Sequence, residues 1–134
     1  MNYLLDTNIC IYVIKKQPVA VLQKFLSFEP GEIGISAIVA AELQFGVQKS
    51  AYPERNERAL AQFLLPLVVV PFDAAAAVAY GKLRAELQAQ GQPIGSMDML
   101  IAAQALALDV TLVTNNTREF GRVSHLKVEN WVGS

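Results

Sequence analysis

Four short apolar runs set apart by helical stretches constrain this chain more than any other feature of it. Asn2–Leu5, Ile33–Ile35, Leu67–Val70 and Val110–Val113 read as short buried strands, each stopped by a polar residue or a proline. Between them the pattern is helical. It covers Ile9–Lys15, then Val19–Leu26 after Pro18, then a helix capped by Ser36 through Lys49 and one opened by Pro53 to about Leu65. Asp73 caps an alanine-rich helix to about Gln90, and Ser96 caps one to about Leu108. A connection that contains a helix joins parallel strands rather than closing a hairpin. The expected architecture is therefore α/β, a three-layer sandwich with a short, mostly parallel sheet flanked by helices, in a single domain over residues 1–134.

Composition narrows the function classes. Hydrophobic residues make up 53% of the 134 and charged ones 17%, so the chain must bury a core and is not a disordered tail. Its longest uncharged stretch, Ala59–Phe72, is broken by Gln62 and Pro66 and falls short of the roughly 20 apolar residues that cross a bilayer. No basic leader precedes the first apolar run, which ends on Asp6, so a cytoplasmic protein is expected. Cys10 is the only cysteine and His125 the only histidine, so a metal bound here would be held by oxygen. The net charge of −1 does not advertise a nucleic-acid binder; a local basic rim beside an acidic site would still leave the total near zero.

In an open parallel sheet, strand C-termini and helix N-termini share one edge, where ligands bind. Asp6 ends the first run, Glu42 lies about two turns into the helix capped by Ser36, and Asp98 lies in the first turn of the helix after Ser96. Asn115 and Asn116 end the fourth run, so all of these groups should meet at that edge. Taken singly, Asp98 is an ordinary first-turn acid and Asp6 an ordinary turn residue. Glu42 is harder to explain that way, since Ile38 and Gly46, not cations, stand four residues on either side. Three carboxylates drawn to about 5 Å would repel by about 3 kcal/mol per pair at an effective dielectric of 20. A fold carries that only with a cation or protons between them. Hard oxygen donors select Mg²⁺ or Mn²⁺, the usual equipment for hydrolysing a phosphodiester. Thr7, Asn8, Ser36 and Thr114 are placed to hydrogen-bond the acids, or simply to cap and turn the chain.

Four segments together resemble a known family. They are Leu4-Leu5-Asp6-Thr7-Asn8, Ser36 followed by Ala41-Glu42-Leu43 and Gly46, Asp98-Met99-Leu100-Ile101-Ala102-Ala103, and Val113-Thr114-Asn115-Asn116-Thr117-Arg118-Glu119-Phe120. In that order and at those separations they resemble the PIN-domain ribonucleases, specifically VapC-type toxins of type II toxin–antitoxin modules. The closing Val128-Glu129-Asn130-Trp131 is similar as well. The resemblance implies a Mg²⁺- or Mn²⁺-dependent endoribonuclease with Asp6, Glu42 and Asp98 as metal ligands. It also implies a VapB-like antitoxin whose C-terminal segment packs over the active-site groove, a homodimer, and operator DNA bound only through the antitoxin. The substrate it implies is structured RNA, with the anticodon stem-loop of initiator tRNA foremost. Many PIN domains place a fourth acid where this chain has Asn116, with Glu119 three residues later, so these two are assigned orienting roles in catalysis.

Arg118 and Arg122, just after the catalytic loop, are the first candidates for RNA phosphate contacts, followed by Lys15 and Lys16, which equally suit the C-terminus of a helix. Two other readings stand beside the nuclease. One is a catalytically impaired PIN-like RNA-binding module, suggested by Asn116. The other is a phosphatase using Asp6 as nucleophile, which would want a second acid at the position of Asn8.

Overall fold

The strands are two to four residues long, and every pairing among them is parallel. The computed structural model describes residues 1–133; residue 134 of the expected domain lies outside them. Along the chain come β1 (Tyr3–Leu5), α1 (Thr7–Lys15), α2 (Val19–Leu26), β2 (Ile33–Ser36), α3 (Ala37–Gln48), α4 (Pro53–Leu64), β3 (Val68–Val70), α5 (Ala74–Ala89), α6 (Ser96–Leu108), β4 (Thr111–Val113), α7 (Thr117–Phe120) and β5 (Val128–Glu129). The sheet order is β3-β2-β1-β4-β5. The helices α1 to α4 pack among themselves, α5 packs on α6, and α6 also meets α3. The expected layered α/β sandwich is the observed one.

The strand order reverses at β1. The chain steps outward from β1 to β2 and β3, then returns to add β4 and β5 on the other side. A crevice therefore opens between the C-terminal ends of β1 and β4, the point in such sheets where ligands bind. Leu4, Leu5, Ile35, Leu112 and Val113 are buried from both faces, which is why their runs are continuously apolar rather than alternating. Gly34 allows β2 to lie close to β3, because a Cβ there would stand 2.7 Å from the Val68 carbonyl oxygen.

Capping differs from expectation at one helix. Ser36 and Asp73 cap α3 and α5 through hydrogen bonds from the Ile38 and Ala76 N–H groups. Asp6 likewise caps α1, which starts at Thr7, two residues before the apolar pattern suggests. At α6, however, Ser96 is the first helical residue and Gly95 is the N-cap, without a side-chain bond. The Asp98 carboxylate folds back over this turn, 3.4 Å from where a Cβ on Gly95 would be. Two further elements were not expected: α7, a single turn, and β5, two residues long. Segments this short carry no readable period. Asn115 and Asn116 stand just beyond β4, which ends where the fourth apolar run does. The strand stops at Val113, and they form the turn that follows it.

A buried polar tie sets α3 against α6. The Ser36 hydroxyl donates to Gln104 Oε1 at 3.2 Å, and Gln104 Nε2 donates to the Pro71 carbonyl at 3.3 Å. Both side chains are 1% exposed, so the tie is shielded from competing water.

Candidate active site

Asp6 closes β1 and is 5% exposed. Its backbone N–H donates to the Val113 carbonyl at 2.8 Å, which joins the ends of β1 and β4. Its carboxylate is held at both oxygens: Oδ1 accepts from the Thr7 N–H at 2.7 Å and Oδ2 from the Thr114 hydroxyl at 2.7 Å. Burial pushes the Asp6 carboxyl above its ordinary value, the Thr114 and Thr7 bonds pull it down, and the charge of Glu42 adds to the rise.

Glu42, half-buried on α3, reaches the same crevice. The Thr7 hydroxyl donates to its Oε1 at 2.6 Å, so Thr7 touches both acids. Asp98, half-buried in the first turn of α6, is pushed up to about 7. Burial is the largest cause; next come a hydrogen bond shared with Glu119 and the charges of Asp6, Glu119 and Glu42. Two carboxylates can share a hydrogen bond only when a proton lies between them. Asn116 completes this side, with Nδ2 donating to Glu119 Oε2 at 2.8 Å and its backbone N–H donating to the Thr114 hydroxyl at 3.0 Å.

Asp6, Glu42, Asp98, Asn116 and Glu119 thus stand at one edge, as two linked pairs rather than one closed triad. Thr7 joins Asp6 to Glu42, while Glu119 joins Asp98 to Asn116. Among the described residues, no three His, Cys, Asp or Glu side chains are grouped tightly enough to enclose an ion. Among the described residues, none of these acids has an arginine or lysine counter-ion. The ion pair among the described residues, Lys127 with Asp109 at 3.2 Å, lies at the far end of α6. Like charges without a cation between them favour the protonated form, and Asp98 is the acid raised in this way. The donor set is carboxylate oxygen throughout, with no thiol or imidazole, and it suits Mg²⁺ or Mn²⁺.

The four cations expected to contact RNA are placed unequally. Arg118 is exposed on α7, and Arg122, just beyond it, donates from Nη1 to the Pro93 carbonyl at 3.1 Å. Both therefore flank the turn that carries Asn116 and Glu119. Lys15 and Lys16 lie at the C-terminus of α1, about 13 Å along the helix from Asp6 at 1.5 Å per residue. Lys15 lines a groove of about 380 Å³ between α1, α3 and α4 that has Glu42 at its rim and Ile11, Leu43, Val47 and Leu60 among its walls. Lys16 faces a different hollow, with Leu22, Phe25 and Phe63.

Sequence reasoning missed two contributors. Tyr12, on α1, accepts a hydrogen bond at its hydroxyl from Asn115 Nδ2 at 3.1 Å and so ties α1 to the turn after β4. Gln104 holds α3 against α6. Its signal was legible, since it is the one polar residue in Leu100-Ile101-Ala102-Ala103-Gln104-Ala105. No spacing rule announces Tyr12.

A model of the PIN domain family matches residues 3–126. The chain is 47% identical to ribonuclease VapC2 of Rickettsia felis over 132 residues, covering 98% of each. It is 44% identical to the tRNA(fMet)-specific endonuclease VapC of Shigella flexneri over 131 residues, again 98% of each. It superposes with a TM-score of 0.92 on a chain of the crystal structure of VapBC2 from Rickettsia felis bound to a DNA fragment from their promoter. That pair shares 45% identity over 98% of this chain and 99% of the other.

Proposed function

The chain belongs to the PIN-domain family, among its VapC members, and on that premise we propose that it is the toxin of a type II toxin–antitoxin module, an endoribonuclease that hydrolyses structured RNA. The observation that carries this reading is the uncompensated acid cluster at the switch point of the sheet, with one member pushed up to about 7. A stable protein keeps such repulsion where its function needs the charge.

Asp6, Asp98 and Glu42 are the side chains that would hold a Mg²⁺ or Mn²⁺ ion, its charge offsetting the repulsion that keeps them from closing into a triad without it. Glu119, steered by Asn116, takes the place of the fourth acid that many relatives carry earlier in the loop. Bound there, the ion would stabilise negative charge developing on the scissile phosphate and lower the pKa of the attacking water. Thr114 and Thr7 orient Asp6 and Glu42 by donating to them. Arg118 and Arg122 bind the phosphates flanking the cut, which leaves 5′-phosphate and 3′-hydroxyl ends. Lys15 and Lys16, farther along α1, would meet RNA only where it extends beyond the cut, Lys15 beside the groove that Glu42 also lines.

The substrate proposed is initiator tRNA cut in its anticodon stem-loop; the Shigella flexneri relative is a tRNA(fMet)-specific endonuclease. The partner proposed is a VapB-like antitoxin that covers the groove and carries the complex to operator DNA, with the toxin itself a homodimer working in the cytoplasm. No helix among the described residues is long and apolar enough to cross a membrane. The phosphatase reading is disfavoured by an Asp6 that is buried with both oxygens engaged, and by Asn8 where a second acid would be needed. The impaired-module reading loses its motive once Glu119 stands beside Asp98.

The test is RNA cleavage by protein purified free of any partner. Cutting of total tRNA with Mg²⁺ or Mn²⁺ is expected, with a unique end in the initiator species. Activity should be lost in EDTA and in Asp6→Ala and Asp98→Asn. Full cleavage in EDTA would exclude the metal reading, and metal-insensitive RNA binding without cleavage would favour the binding module.

A further inference from the structure

We propose that Thr7 is the positioning residue that couples the two halves of the first acid pair, fixing Asp6 through its backbone and aiming Glu42 into the crevice through its hydroxyl. This rests on the metal-dependent nuclease reading above and deepens it.

Thr7 is the first residue of α1, and its N–H is one of the helix donors that have no partner within the helix. That donor is taken by Asp6 Oδ1 at 2.7 Å, which leaves the side chain free to serve a different residue. It serves Glu42, 35 positions away and on another helix, at 2.6 Å. The distance is that of a short hydroxyl-to-carboxylate bond, roughly twice as strong as a bond between neutral groups.

Glu42 needs such a constraint because it stands between two environments. On one side is the crevice with Asp6 and Asp98; on the other is the groove that Lys15 also lines. Repulsion from the other acids drives Glu42 out of the crevice, and a glutamate has three side-chain torsions with which to leave. No further side-chain hydrogen bond holds it among the described residues, so the Thr7 hydroxyl is what opposes that motion. A β-branched residue at this point suits the task, since branching restricts the torsion that directs the hydroxyl.

The experiment compares Thr7→Val, which keeps shape and backbone donor but lacks the hydroxyl, with Thr7→Ser, which keeps the hydroxyl. Thr7→Ala is the second deletion variant should valine fail to fold, and melting curves establish folding for each. Mn²⁺ affinity is measured by titration calorimetry on the partner-free full chain, and kcat and KM for tRNA are measured at several Mn²⁺ concentrations. Thr7→Val should bind Mn²⁺ about 10–100-fold more weakly, the range seen when a group that orients a ligand is removed. Its kcat should recover at high Mn²⁺ while KM for RNA stays the same. Thr7→Ser should stay within a few-fold of the parent, and adding Thr7→Val to Glu42→Gln should cost little more than Glu42→Gln alone. Wild-type Mn²⁺ affinity in Thr7→Val, equal loss in Thr7→Ser, or full additivity with Glu42→Gln would each overturn the proposal. Asp98→Asn distinguishes the two levels. If it binds Mn²⁺ and cleaves RNA as the parent does, the metal-site reading on which the proposal rests fails; if it is inactive while Thr7→Val is normal, only the coupling role of Thr7 falls.

Discussion

Replacing Asp98 by asparagine should raise the stability of the metal-free protein while abolishing its stabilisation by metal. The Asp98 carboxyl is raised from an ordinary 3.8 to about 7, by burial first and then by Glu119, Asp6 and Glu42. A folded-state value above the unfolded one means that the folded chain holds the proton more tightly. The associated stability is complete below about pH 4, declines as pH rises, and is gone above about pH 7. At about 1.4 kcal/mol per unit the whole displacement would amount to about 4 kcal/mol. Asp98 is half open to solvent, which screens much of this, so about 1–2 kcal/mol is expected. Asparagine keeps the shape and carries no charge to repel. At about pH 8 in EDTA the variant should therefore melt about 3–8 °C above the parent, with the gap narrowing at about pH 5. Excess Mn²⁺ should reverse the order, since a ligand at 100 times its dissociation constant stabilises the parent by about 2.7 kcal/mol and the variant hardly at all. Scanning calorimetry at the two pH values, with and without Mn²⁺, reads all four states. A variant less stable than the parent at pH 8 in EDTA, or equal Mn²⁺ shifts in both proteins, would refute the electrostatic account of the site.

Thr114→Val removes the buried hydroxyl that donates to Asp6 and accepts from Asn116, and should cost about 1–3 kcal/mol. Urea titration should find the loss shrinking as pH falls, because the Thr114 bond favours the charged form of Asp6 and that form gives way to the acid. Glu119→Gln takes away the neighbour that shares a hydrogen bond with Asp98, so the Asp98 titration followed by carboxyl ¹³C NMR should move down from about 7. Mn²⁺ affinity in that variant should fall by about tenfold or more, and an unmoved Asp98 would disprove the pairing. Arg122→Ala should weaken RNA binding uniformly across sequences and lower the salt slope of log K by about 1, as measured by filter binding from low to moderate salt. An unchanged slope would mean that Arg122 serves only to hold the Pro93 carbonyl.

Much of the fold was legible because parallel strands buried on both faces leave unbroken apolar runs, and because Ser36 and Asp73 mark helix starts by a strictly local bond. The same locality explains the failures. Ser96 has the composition of a cap, yet Gly95 occupies that position beneath the Asp98 carboxylate, and α7 and β5 are too short to show a period. Nor does the sequence show what Glu119 touches, since its neighbours along the chain do not include Asp98. Only the turn of α7 swings it back toward Asp98.

The linear chain was enough to settle which groups carry charge and which segments must be buried. Carboxylates amid apolar residues, the lack of further cysteine or histidine, and strands ending on polar residues are all properties of neighbours in sequence. What required three dimensions was the partnering: Thr7 with Glu42, Thr114 with Asp6, Gln104 with Ser36, Asn115 with Tyr12. Hydrogen bonds act over about 3 Å, and these join residues 35 to 108 positions apart. Whether such groups touch is decided by how helices pack on the sheet, and no local pattern records that.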